Sequence, residues 1–78
     1  MEHKVTVFST PTCPWCVRAR DYLNANKIAF EDIDISQDQA AATTMVQKSG
    51  EIGVPQLWID DDVVVGFDQA TIDHLLGL

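Results

Sequence analysis

Lys4-Val5-Thr6-Val7-Phe8-Ser9 is rich in β-branched and aromatic residues and reads as a first strand. After the loop Thr10-Pro11-Thr12 the period changes. Cys16, Ala19 and Leu23 recur at helical spacing and make one apolar face, with Tyr22 beside it, while Arg18 and Asp21 point away. Pro14 fits just inside the start of this helix, where its missing N–H costs nothing, and Asn24 to Lys27 is the exit. From Ile28 to Ile35 acidic residues alternate with Ile33 and Ile35, which predicts a second strand with one polar side. Strand, crossover helix and strand imply a parallel pair with a right-handed connection.

Ser36-Gln37-Asp38-Gln39 fits a capping box for a second helix that carries Ala42, Met45, Val46 and Ser49 on one face and stops at Gly50. Gln56 to Ile59 and Val63 to Gly66 are short apolar strands around Asp60-Asp61-Asp62, the pattern of an antiparallel hairpin with a solvated acidic tip. That tip offers too few oxygen ligands for calcium. Asp68 is placed to cap a last helix that buries Ile72, Leu75 and Leu76. The order is β-α-β-α-β-β-α, an α/β chain forming a single domain over 1–78 with no repeat and no linker.

Composition narrows the reading. A hydrophobic share of 46% in 78 residues suits a compact globule with a small core. No window approaches a membrane span and no secretory signal is visible, so the expected compartment is cytoplasmic. A net charge of −7 with no basic run argues against nucleic acid or anionic lipid as partner.

The chemistry lies in Cys13-Pro14-Trp15-Cys16, which holds both cysteines of the chain. A structural disulfide is unexpected in a reducing compartment, so the pair points to redox or metal chemistry. Zinc is poorly served, because a structural site wants four ligands and only His3 and His74, at opposite ends of the chain, could join the two thiols. Cys13 precedes the first helical turn, where free N–H groups and the helix dipole favour a thiolate. Cys16 is one turn further in, on the apolar face, shielded and harder to ionise. This asymmetry assigns Cys13 as the attacking thiol and Cys16 as the resolving one. Trp15 is expected to cover the pair and offer an apolar contact.

The stretch Phe8-Ser9-Thr10-Pro11-Thr12-Cys13-Pro14-Trp15-Cys16 resembles the active site of the glutaredoxin family, with Trp15 where tyrosine is usual. Gly53-Val54-Pro55 is similar to the family's Thr-Val-Pro segment, and Val65-Gly66-Phe67-Asp68 matches its Gly-Gly-aromatic-Asp segment in part. The resemblance runs along nearly the whole chain. It implies a thioredoxin-like fold, a four-stranded mixed sheet flanked by three helices. It also implies a cis bond before Pro55, with Val54 pairing its backbone to a bound peptide or glutathione like an added strand. Pro14 and Trp15 would border the same site, and Gly66, Phe67 and Asp68 would receive the γ-glutamyl carboxylate of glutathione at the last helix's N-terminus.

The implied activity is dithiol–disulfide oxidoreduction on protein disulfides or glutathione mixed disulfides, by a monomer with no bound cofactor and with glutathione as co-substrate. The chain departs from the family at Thr10, where lysine or arginine is common, at Gly53 and Val65, and at the acidic Glu51. Arg18, Arg20 and Lys48 are the cations that could compensate. A related branch, small redoxins that feed ribonucleotide reductase and are recharged by thioredoxin reductase, carries Ser-Gly-Phe where this chain has Val65-Gly66-Phe67. Thioredoxin reductase is therefore the alternative electron donor. A glutathione-ligated 2Fe–2S cluster is a further alternative, disfavoured by Pro14 where cluster-holding members have glycine or serine.

Overall fold

The computed structural model describes residues 3–78. Its elements are β1 (Val5–Ser9), α1 (Pro14–Ala25), β2 (Glu31–Asp34), α2 (Gln39–Ser49), β3 (Gln56–Ile59), β4 (Asp62–Val65) and α3 (Gln69–Leu76). They form one four-stranded mixed sheet in the order β2-β1-β3-β4, the thioredoxin-like arrangement that the resemblance implies. β1 pairs in parallel with β2 and antiparallel with β3, and β3 pairs antiparallel with β4. β1 is central, and all five of its residues are buried.

Strand alternation divides the sheet into two unlike faces. On one, Val5, Val7, Leu57, Ile59 and Val64 pack with Ala19 and Leu23 of α1 and Ile72 and Leu76 of α3. This is the core, and it fixes α1 against the end of β1. The other face carries Phe8 and Trp58, whose rings lie 4.5 Å apart. Lys48 of α2 reaches over the Trp58 ring at 4.8 Å, and Met45 is the buried residue of α2.

α1 begins at Pro14 and ends before Asn26, as the sequence reading expects, with Cys13 as N-cap. Other details differ: β2 is confined to Glu31–Asp34, and β4 runs one residue earlier than expected, from Asp62 to Val65. Ser36 does not cap α2. Its N–H and hydroxyl both go to the Asp34 carboxylate, at 2.9 and 2.6 Å, so the chain turns first and enters the helix at Asp38. The Asp38 carboxylate takes the Ala41 N–H at 3.0 Å. Of the face expected to carry Met45 and Val46, Met45 is buried and Val46 remains 36% exposed.

The acidic tip is also less idle than expected. Asp60 adopts a positive φ of 55° in the turn, and its carboxylate accepts the Lys4 N–H at 3.0 Å and meets His3 Nδ1 at 2.7 Å. The hydrogen bond from His3 holds the Asp60 carboxyl below its ordinary range, so the turn is clamped to the start of β1.

Candidate active site

β1 delivers the chain to one end of the sheet, and the loop after it closes when the Cys13 N–H donates to the Thr10 carbonyl at 3.4 Å. Cys13 then takes the N-cap of α1 in extended conformation (φ −95°, ψ 109°), with Pro14 following in the first turn. An N-cap side chain normally satisfies an orphan N–H, and here the sulfur does so. The Cys16 N–H donates to Cys13 Sγ at 3.2 Å. As a thiol, Cys13 can also donate to the Val54 carbonyl, 3.8 Å away.

The two cysteines are free thiols in unequal surroundings. Cys13 is half-exposed, whereas Cys16 is fully buried. Burial, followed by the hydrogen bond with Cys13, pushes the Cys16 thiol up to about 11. The Thr10 backbone and the charge of Arg20 pull the other way. Such a pair has one half-buried sulfur and one protonated in reserve. Among the described residues, no three His, Cys, Asp or Glu side chains gather as a metal site would require.

Beside Cys13 lies a groove of about 260 Å³ lined by Trp15, Val54, Pro55, Gly66 and Phe67. Three distant stretches meet there. The Val54–Pro55 peptide is cis. Gly66 adopts φ +85° with open space where a Cβ would stand, so the backbone conformation, not crowding, calls for glycine. Its N–H donates to the Pro55 carbonyl at 2.7 Å, which ties the two loops together. Trp15 is 54% exposed, with its ring 6.5 Å from Phe67 and the Arg18 guanidinium 4.8 Å above it. Phe67 rests edge-on against Tyr22, 5.6 Å between centroids, and the Tyr22 hydroxyl donates to the Asp73 carboxylate. That hydrogen bond raises the Tyr22 pKa.

Of the residues singled out in the sequence, Cys13, Cys16, Trp15, Val54, Pro55, Gly66 and Phe67 come together here. Pro14 is exposed and does not line the groove. Asp68 does not line it either: its carboxylate caps α3, accepting the Thr71 N–H at 3.3 Å and the Thr71 hydroxyl at 2.8 Å. Of the three candidate cations, only Arg18 stands at the groove. Lys48 is over Trp58 on the other face of the sheet, and Arg20 donates to Ser9 Oγ at 2.9 Å.

Gln56 is the residue that the sequence reading passed over. It is fully buried, and its Nε2 donates to the carbonyls of Glu51 and Gly53, both at 3.0 Å. It thereby holds the loop that carries Val54 and Pro55. The available signal was a polar side chain opening an otherwise apolar strand directly after a proline, since buried amides need partners.

Comparison with known proteins agrees with this geometry. The glutaredoxin family model matches residues 5–64. A glutaredoxin-like 8.6 kDa protein encoded in the rubredoxin operon of Clostridium pasteurianum is 39% identical over 92% of this chain and 96% of its own length. Glutaredoxin 3 of Escherichia coli K12 is 33% identical over 82% of this chain and 77% of its own. Among solved structures, a thioredoxin-like protein superposes with a TM-score of 0.91 at 32% identity, covering 95% of both chains. With its paired thiols at the start of α1, its mixed four-stranded sheet and these relatives, the chain belongs to the glutaredoxin family of thiol–disulfide oxidoreductases.

Proposed function

We propose that the protein reduces protein disulfides or glutathione mixed disulfides through Cys13 and Cys16, with glutathione as co-substrate and no bound organic cofactor. The observation that carries this reading is the contrast between the two sulfurs beside the groove. Cys13 is reachable and receives an N–H, whereas Cys16 is buried and held protonated near 11.

In the forward reaction the Cys13 thiolate attacks one sulfur of the substrate disulfide. The substrate S–S bond breaks, its electron pair leaves with the other sulfur, and a mixed disulfide forms on Cys13. Two fates follow. Cys16 loses its proton and attacks Cys13 Sγ, closing the Cys13–Cys16 disulfide and expelling the substrate thiol. Alternatively, glutathione attacks the mixed disulfide from outside and regenerates Cys13. Two further glutathione molecules reopen the internal disulfide and leave as glutathione disulfide.

The groove suits an extended peptide. Val54 would pair its backbone with the bound cysteinyl unit in the manner of an added strand. Gly66 and Phe67, just before α3, would face the γ-glutamyl carboxylate, where the helix start favours an anion. Trp15 and Phe67 would supply apolar contact to the peptide. The functional set lies within one chain, so a monomer suffices.

One observation favours a second electron donor. None of the side chains that line the groove is basic, Thr10 stands where the family usually has a cation, and Arg18 is engaged above Trp15. A redoxin recharged by thioredoxin reductase would not need a cationic glutathione site. The deciding experiment is paired turnover of one disulfide substrate, once with glutathione and glutathione reductase and once with thioredoxin reductase. Turnover with the glutathione system supports glutathione as the donor. Turnover with thioredoxin reductase alone overturns the choice of glutathione and leaves the dithiol chemistry intact.

A further inference from the structure

α1 places Cys16 and Arg20 four residues apart, the spacing that brings two side chains onto one helix face with Cβ atoms about 5–6 Å apart. Arg20 does not extend freely into water. Its side chain is 23% exposed, and Nη1 donates to Ser9 Oγ at 2.9 Å while standing 3.6 Å from Asp32 Oδ2. Ser9 is buried at the end of β1, and its hydroxyl donates in turn to Asp32 Oδ1 at 2.8 Å. Two groups, one from β1 and one from β2, thus fix the α1 guanidinium at the end of the sheet where the Cys13 loop begins. A solvated helix charge needs no such anchoring, and ordering a long side chain costs rotamer entropy.

Resting on the dithiol mechanism above, the geometry points to Arg20 as the positioning residue of the disulfide-closing step: its guanidinium, anchored by Ser9 and Asp32, stabilises the Cys16 thiolate as it forms in the core. Cys16 must ionise to resolve a mixed disulfide, and burial opposes this. The titratable groups acting on Cys16 are Cys13 and Arg20, and Arg20 acts in the favourable direction. Once Cys13 is in a mixed disulfide it bears no charge, so Arg20 is left as the charged neighbour. Asp32, on β2, tempers the guanidinium field while holding it in place. Arg20 neither gives nor takes a proton, because guanidinium stays charged throughout the working range. The Cys16 proton goes to solvent, the new S–S bond joins Cys16 to Cys13, and the old bond's electron pair leaves with the substrate thiol.

An aromatic disulfide whose released thiolate absorbs visible light separates the steps. Attack by Cys13 releases one equivalent in a first phase, and attack by Cys16 releases a second equivalent in a later one. In Arg20→Met the first phase is expected to be unchanged. A rise of about one unit in the Cys16 pKa lowers its thiolate fraction about tenfold, and the gain in intrinsic nucleophilicity returns about threefold of that. The second phase should therefore slow by about threefold near neutral pH. Arg20→Lys, which keeps the charge, should recover most of the rate.

Ultraviolet titration of thiolate absorbance in the Cys13→Ser background gives the independent readout, with the Cys16 midpoint moving up by about one unit on adding Arg20→Met. A purely structural arginine would disturb both phases together and leave that midpoint in place, which overturns the proposal. An unchanged second phase with an unchanged midpoint overturns it equally. Loss of the first phase in the unmodified protein would instead remove the dithiol mechanism on which the proposal stands.

Discussion

At the sulfur end of the site, the reactive group, its N–H donor and its resolving partner all come from one turn of one helix, Cys13 to Cys16. At the groove end, Trp15, Val54-Pro55 and Gly66-Phe67 arrive from three separate parts of the chain. Long-range bonds hold these together: Gly66 N–H to the Pro55 carbonyl, Gln56 to the 51–53 loop, and Phe67 against Tyr22. A locally built centre keeps its chemistry as long as α1 folds. An assembled groove can be loosened at several remote points without touching a sulfur. Damage at the first end should therefore remove chemical steps, and damage at the second should mainly weaken substrate binding.

The largest expected effect comes from Cys13→Ser, which should lose all turnover with every disulfide substrate, as followed by coupled reductase assay, while unfolding at the same temperature. Activity in this variant would break the comparison outright. Cys16→Ser should sort substrates. Reduction of protein disulfides is lost and a stable mixed disulfide accumulates in mass spectra, whereas glutathione mixed disulfides are still reduced within about tenfold of the native rate. Equal loss on both substrate classes would deny Cys16 its separate role.

The buried thiol also leaves a mark on stability. Folding keeps the proton on Cys16 up to about 11, against 9.0 when unperturbed. Its contribution is thus complete below the unperturbed value and is lost as pH rises toward the folded one. Denaturant unfolding of the reduced protein across this window should show a loss of about 2–3 kcal/mol that Cys16→Ser lacks. An identical slope in both proteins would mean that Cys16 is not buried as a neutral thiol.

On the groove side, Gln56→Leu should leave the Glu51 and Gly53 carbonyls without their partner, at a cost of about 1–3 kcal/mol. The accompanying kinetic change should be a raised KM with kcat nearly intact. The smallest effect belongs to Asp68→Ala, where losing the α3 cap should cost about 1 kcal/mol, with Asp68→Asn close to native. A drop in substrate affinity shared by both Asp68 variants would restore to this carboxylate a binding role beyond the cap.

The same division explains what could be read from the chain before its structure. β1, α1, the buried face of Cys16, Ala19 and Leu23, and the unequal thiols follow from nearest-neighbour spacing, and the structure places them where that spacing puts them. The element order was legible because each strand and helix has its own period, whereas the four-stranded mixed sheet was implied by the family resemblance. Cap choice was not, because Asp34 claims both polar groups of Ser36 and only geometry decides that competition. Gln56, the Ser9–Arg20–Asp32 chain and the His3–Asp60 clamp were equally hidden, since each depends on side-chain hydrogen bonds that no local period announces. The groove residues could be named only through the family resemblance. Nothing local to Gly66 or Val54 says that they will meet.

Limited alkylation tests the inequality of Cys13 and Cys16. Reduced protein is treated briefly near neutral pH with less than one equivalent of iodoacetamide, and the label is located by peptide mass spectrometry. Label is expected on Cys13, with Cys16 unmodified until the protein is denatured. Equal labelling of the two thiols, or earlier labelling of Cys16, would contradict that inequality.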